Sequence, residues 1–204
     1  MTRIIAGEFG GRRLSVPPRG TRPTTDRVRE ALFSRLDHSD VLRDAVALDL
    51  YAGSGALGFE ALSRGAASVT LVESAASAAR VLQGNVRTLS VGTRARVVKE
   101  KAGSFVSRTA GSYDLVMIDP PYDLPPKEVE AVLSALPALL APDATVVLES
   151  STRAEAATWP AQLEIVAQKD YGETRLTYAA LAEARSGDEA DPGEHSEPDT
   201  AAGA

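Results

Sequence analysis

Two short segments of this chain carry side chains suited to chemistry at the edge of an open α/β sheet. The first is Asp119-Pro120-Pro121-Tyr122, which directly follows the apolar run Leu115-Val116-Met117-Ile118, a buried strand by its pattern. In open α/β sheets, ligands bind beyond the carboxyl ends of the strands. Consecutive prolines fix φ and remove two backbone donors, so this loop offers acceptors: the Asp119 carboxylate and neighbouring carbonyls, that of Pro120 among them. Such a loop suits a substrate that donates, for example an amino group. Tyr122 adds a flat face for a stacked base, a contact worth roughly 1–3 kcal/mol.

The second segment runs from Val46 to Leu62 and reads as strand, glycine turn and helix. Gly53 and Gly55 let the backbone bend tightly against a ligand, and the helix that follows presents its N-terminus. A further strand, Val69-Thr70-Leu71-Val72-Glu73, ends in a carboxylate able to accept from ribose hydroxyls. Gly53-x-Gly55-x-x-Gly58 also meets the dinucleotide fingerprint, with Glu73 near the spacing of the ribose contact, so an NAD(P) oxidoreductase is one reading. Asp49 stands against it, because a carboxylate at the strand end is unfavourable beside a pyrophosphate. It suits a cationic or amine-bearing ligand such as S-adenosylmethionine.

On these residues the chain resembles the class I methyltransferases that act on exocyclic amino groups. More narrowly, it is similar to the bacterial 16S rRNA guanine-N2 methyltransferase family, whose pattern is met by Arg3-Ile4-Ile5-Ala6-Gly7, Gly10-Gly11-Arg12-Arg13-Leu14, Arg22-Pro23-Thr24 and the stretch from Arg27 to Phe33. The likeness continues through Asp49-Leu50-Tyr51-Ala52-Gly53-Ser54-Gly55, the run from Glu60 to Ala66, the Asp119 loop and Tyr171-Gly172-Glu173-Thr174-Arg175-Leu176. It covers about residues 1–181, and the N-terminal arm with the late Tyr-Gly stretch is its most specific part.

The resemblance implies a Rossmann-like sheet of seven mostly parallel strands with helices on both faces, one reversed strand and a terminal antiparallel hairpin. It implies S-adenosylmethionine held by Asp49, Tyr51, Gly53, Gly55, Glu73 and Ala102, and transfer of its methyl to a guanine amine at Asp119, Pro120 and Tyr122. Asp49 would support the glycine loop or the cofactor's amine. In many relatives an acid precedes the alanine of the third cofactor strand and holds the adenine amino group. Here Lys101 occupies that place and cannot accept, which leaves a backbone contact near Ala102.

Charge is divided unevenly along the chain. The net charge is −6 overall, yet residues 1–35 hold eight arginines against Glu8, Asp26 and Glu30, a balance of +5. Residues 185–204 hold one arginine against six acids. The arm is therefore the expected phosphate-binding element, with Arg3, Arg12, Arg13, Arg19 and Arg22, and Arg27 just after it, as the contacts to the 16S rRNA. Three parts are expected: a basic arm over 1–24, a catalytic domain over 25–182 and an acidic, disordered tail over 183–204. The chain has no cysteine and two histidines, so no metal is expected. It has no run of membrane-spanning length and no apolar leader core in residues 1–20, so a cytoplasmic monomer without membrane contact is expected.

Local signals complete the outline. Ile4-Ile5 and Arg13-Leu14-Ser15 flank glycines as a small hairpin would, and Pro17-Pro18-Arg19-Gly20 leads away in extended form. Thr24 or Thr25 caps a helix from Asp26, with Val28, Leu32 and Leu36 facing the body and Arg27 outward. Helices are expected over 81–89, with Asn85 near the cofactor loop, and over 127–140; strands over 145–149, 163–168 and 174–180. Glu60 and Asp114 read as surface or packing residues. A DNA adenine or protein-glutamine methyltransferase could use the same amino loop, although no target-recognition domain is visible, and a non-catalytic RNA-binding module is the reading furthest from an enzyme.

Overall fold

The computed structural model describes residues 2–17 and 25–182. Arg19, Arg22 and the acidic tail lie outside the described residues, as does most of the extended segment expected after Pro17.

Five apolar runs form consecutive parallel strands: β3 (Val46–Leu50), β4 (Ser68–Glu73), β5 (Ala95–Lys99), β6 (Tyr113–Ile118) and β7 (Leu140–Ser151). The hairpin of β8 (Leu163–Tyr171) and β9 (Thr174–Leu181) completes a seven-stranded sheet of order β5-β4-β3-β6-β7-β9-β8. Only β9 is reversed, pairing antiparallel with both β7 and β8. The central strands read as continuous apolar runs because both faces are covered: Ala47, Leu48, Leu50, Leu115, Val116 and Met117 are all fully buried. One face packs against α1 (Asp26–His38), α2 (Ala56–Ser63) and α3 (Ala76–Leu89); the other packs against α4 (Ala102–Arg108) and α5 (Pro126–Ala135).

The chain leaves β3 towards β4 and β5, then returns to the other side of β3 as β6. This reversal opens a crevice at the carboxyl ends of β3 and β6, the place where such sheets bind ligands. Both chemistry-bearing segments begin there.

Two helix boundaries differ from the sequence expectation, and the strands expected over 145–149 and 163–168 extend over 140–151 and 163–171. Helix α3 starts five residues earlier than expected, because the Ala-rich stretch before Val81 has little hydrophobic contrast but high helix propensity. Helix α5 ends at Ala135 and gives way to a 3-10 turn, Leu136–Leu139, since Pro137 lacks the N–H that would continue the ladder. Leu140 then belongs to β7.

The arm forms the expected hairpin from β1 (Thr2–Arg3) and β2 (Arg13–Leu14), in register Thr2 with Leu14. It is docked firmly on the body, with Ile4, Phe9 and Leu14 buried in the core shared with α1 and α2. Gly7 makes this docking possible. Its φ is +78°, and a Cβ there would lie 1.8 Å from the Ser63 carbonyl oxygen. Thr25 caps α1, accepting from the Val28 N–H at 3.3 Å, and Val28, Leu32 and Leu36 are buried as their spacing requires.

Candidate active site

The register of three strands aligns the site. Leu50 of β3 pairs with Val72 of β4 on one side and Ile118 of β6 on the other. The next residues, Glu73, Tyr51 and Asp119, therefore follow directly at the carboxyl ends of three adjacent strands. Tyr51 has φ 63°, a left-handed conformation that strains a bulky residue and turns the chain sharply into the loop. Gly55 follows with φ +81°, at the N-cap of α2, where a Cβ would fall 2.4 Å from the Phe59 ring and 2.7 Å from Leu82. Burial, and then Glu128, pushes the Tyr51 phenol up to about 12, so it is a neutral hydroxyl.

The two carboxylates of the loop divide their work. Glu73 is half-buried and accepts from the Gly53 N–H at 3.0 Å and the Ala75 N–H at 2.7 Å, which fixes it against the glycine turn. Asp49 is fully buried and accepts from the Gly58 N–H at 2.9 Å, so it joins β3 to α2. Through that bond Asp49 braces the first turn of α2, directly after the glycine turn. Burial pushes its pKa up to about 8; the Gly58 N–H opposes this, while the charges of Asp119 and Glu73 add to it.

The crevice is thus acidic through Glu73 and Asp119, which repel one another across the strand ends, while buried Asp49 keeps its proton near neutral pH. A ligand carrying a sulfonium and an amine relieves that repulsion, whereas a pyrophosphate would increase it. The residues present fit S-adenosylmethionine and fit a dinucleotide poorly. At the outer edge the fit has a gap. Lys101 stands exposed at the residue before α4 without a side-chain cap, while Glu100, one residue earlier, is bound by Arg108, whose hydrogen bonds hold its carboxyl below the usual range. Ala102, buried at the start of α4, keeps only its backbone for an adenine.

Asp119 begins the amino loop half-buried, its N–H directed at the Leu50 carbonyl at 3.4 Å. Pro120 is half-buried beside it, and Tyr122 is 52 % exposed, open to stack with an incoming ring.

A family model described as Conserved hypothetical protein 95 matches residues 2–180, which takes in both the arm and the whole sheet. Ribosomal RNA small subunit methyltransferase D of Escherichia coli K12 is 42 % identical over 172 residues, covering 84 % of this chain and 85 % of that protein. The chain belongs to the methyltransferase D family. Solved structures agree with this membership. The Escherichia coli protein yhhF superposes with a TM-score of 0.77 at 40 % identity, over 88 % of this chain and 97 % of that one. The Thermus thermophilus protein TTHA0928 gives 0.76 at 30 % identity, over 89 % and 100 %. As a family member, the chain is an S-adenosylmethionine-dependent methyltransferase with the class I fold.

In this chain the arm and the body share a buried polar network that the sequence reading missed. Glu60 of α2, expected as a surface or packing residue, is fully buried. It accepts from the Ile5 N–H at 2.7 Å, the Ala6 N–H at 3.1 Å and Arg64 Nε at 2.8 Å, and lies 3.9 Å from Arg29 Nε. Arg29 contributes to the arm's positive balance in sequence, yet it is fully buried and donates to Thr2 Oγ1, the Arg3 carbonyl and Asp26. Only a helical wheel placing Arg29 and Glu60 on inward faces could have revealed this.

Asn85 lies where expected, beside the cofactor loop, and does more than line it. Buried on α3, it donates to the Ser54 and Ser15 carbonyls at 3.0 Å each and accepts from the Ser15 N–H at 2.9 Å. Asp114 accepts from the Val46 N–H at 2.8 Å and has a structural role at the far end of the sheet. The described arm arginines are on the surface: Arg3 pairs with exposed Asp26, Arg12 donates to the Thr88 carbonyl at 2.6 Å, and Arg13 and Arg27 are exposed.

Proposed function

We propose that this chain methylates the exocyclic N2 of a guanine in 16S ribosomal RNA, acting as a cytoplasmic monomer on RNA held in the small subunit or its assembly intermediate. The observation that carries the reading is the row of Glu73, Tyr51 and Asp119 across adjacent strand ends, which sets a cofactor-side carboxylate beside an amino-group acceptor. The small-subunit RNA named for the Escherichia coli relative, and the extent of the match, support the substrate class.

S-adenosylmethionine supplies an electrophilic methyl group on a sulfonium. Glu73 would accept from its ribose hydroxyls, Gly53 and Gly55 would admit its tail, and the Ala102 backbone would meet its adenine. Tyr51 contributes the turn that brings these together. The guanine amine is a poor nucleophile because its lone pair is delocalised into the ring. Accepting its two N–H groups on the Asp119 carboxylate and the Pro120 carbonyl favours a pyramidal nitrogen with the lone pair free to attack. Once the nitrogen gains the methyl it must lose a proton, and Asp119 is the adjacent acceptor. Tyr122 stacks on the ring, which must come from a loop or leave its helix.

Arg3, Arg12, Arg13, Arg19 and Arg22 of the arm over 1–24, with Arg27 at the start of the catalytic domain over 25–182, make up the phosphate-binding surface, and the acidic tail over 183–204 lies apart from it. Asp119→Ala tests the reading. The variant should bind S-adenosylhomocysteine like the wild type, fail to bind NAD as the wild type fails, and lose methyl transfer by about 100-fold or more. Full transfer by Asp119→Ala overturns it.

A further inference from the structure

A cavity of about 140 Å³ opens beside the amino loop, between that loop, the connection from β7 to β8 and the end of the terminal hairpin. Residues 152–162 form no helix, so this corner of the sheet is covered by coil, with Ala157 and Trp159 packed against the core under α5. Pro121, Tyr122, Trp159 and Ile165 provide apolar walls, with Gln168 and Arg175 among the polar ones. Tyr122 and Ile165 are 52 % and 43 % exposed, two of five large apolar side chains open to solvent among the described residues, which marks the cavity mouth as a contact surface. Arg175 comes from the stretch after Tyr171 that the chemistry leaves without a role. Asp170 holds it by two hydrogen bonds of 2.8 and 2.9 Å.

We propose that this cavity is a second base subsite, which takes a pyrimidine adjoining the guanine presented to Asp119. The inference rests on the proposed guanine-N2 activity and adds a substrate feature to it. Position is the first argument: Pro120 and Pro121 belong both to the amino loop and to the cavity wall, so a nucleotide next to the target passes its mouth. Chemistry is the second. Tyr122, Trp159 and Pro121 supply faces for a ring, and Gln168, which donates to buried Thr177 Oγ1 at 3.0 Å, brings a carboxamide whose donor and acceptor match a pyrimidine edge. Size is the third, because a cavity of about 150 Å³ accommodates a benzene-sized ring. A single-ring base matches such a space, whereas a bicyclic purine would project from its open mouth and leave part of its face uncovered.

The test measures kcat and KM on unmethylated small-subunit particles in which each neighbour of the target guanine is made pyrimidine and then purine in turn. Wild type should show KM about 10-fold higher with a purine on one side, the equivalent of one base contact, with kcat little changed. Trp159→Ala, and Gln168→Ala at an exposed side chain that leaves the core intact, should raise KM about 10-fold on the pyrimidine substrate and erase the discrimination. S-adenosylhomocysteine binding should stay at the wild-type level in both. Variants with wild-type KM and no neighbour preference overturn the subsite while guanine methylation stands. A fall in kcat at constant KM also overturns it, because the target guanine would then occupy the cavity. Absence of N2-methylguanosine with wild-type enzyme on every particle removes the parent activity and the subsite with it.

Discussion

Replacing Glu60 with alanine should detach the basic arm from the catalytic body. The carboxylate is fully buried, and four groups converge on it: the Ile5 and Ala6 N–H groups, Arg64 and Arg29. Each backbone N–H left unsatisfied costs roughly 1–3 kcal/mol, and removing one partner of a buried ion pair costs roughly 3–5 kcal/mol. These losses share one site and do not add, because Arg29 keeps Thr2, Arg3 and Asp26 as acceptors. The net destabilisation should therefore be about 3–5 kcal/mol, which for a domain of this size lowers Tm by about 6–20 °C. Glu60→Gln keeps an acceptor and the shape but loses the charge, and should lose about half as much. Urea and thermal unfolding give the totals, and hydrogen exchange at Ile5 and Ala6 locates the effect. A Glu60→Ala protein within about 1 kcal/mol of wild type, with arm amides protected as before, would refute the reasoning.

Three other outcomes follow from the same geometry. Gly7→Ala forces a Cβ to 1.8 Å from the Ser63 carbonyl, so RNA affinity should fall at least 10-fold while S-adenosylhomocysteine binding is retained; filter binding and calorimetry read the two. Asp49 keeps its proton to about pH 8 when folded but loses it near pH 4 when unfolded, so the unfolded state binds fewer protons in that window and stability declines as pH rises through it. Asp49→Asn, which still accepts from Gly58, should flatten that decline, and urea unfolding at pH 5, 7 and 9 will show whether it does. Asn85→Ala removes the hydrogen bonds joining Ser15 to Ser54 and should weaken cofactor binding about 10-fold by calorimetry, with the fold intact by circular dichroism.

The strands, the glycine turn and the amino loop were legible in the sequence because each is a local pattern: an apolar run, a glycine pair, a proline pair. The hairpins at either end were legible for the same reason, as alternating residues around a glycine. Glu60 and Arg29 were not legible, because a charged residue reads as surface until its partners arrive from distant segments. Glu60 meets Ile5 across 55 positions, and Asn85 meets Ser15 across 70. Lys101 was legible only as an absence; the structure adds that the nearby acid, Glu100, is bound by Arg108. The helix boundaries failed where composition misleads, at the alanines before Val81 and at Pro137.

The central claim is methyl transfer from the cofactor to a guanine amine in small-subunit RNA at the Asp119 loop. Its most direct test is labelled-methyl transfer to small-subunit particles lacking native modifications, beside naked rRNA, DNA and the Asp119→Ala enzyme, followed by nucleoside analysis. The account predicts N2-methylguanosine from the wild-type enzyme and at least about 100-fold less from the variant. Label in adenine or in protein, or equal label from both enzymes, would contradict it.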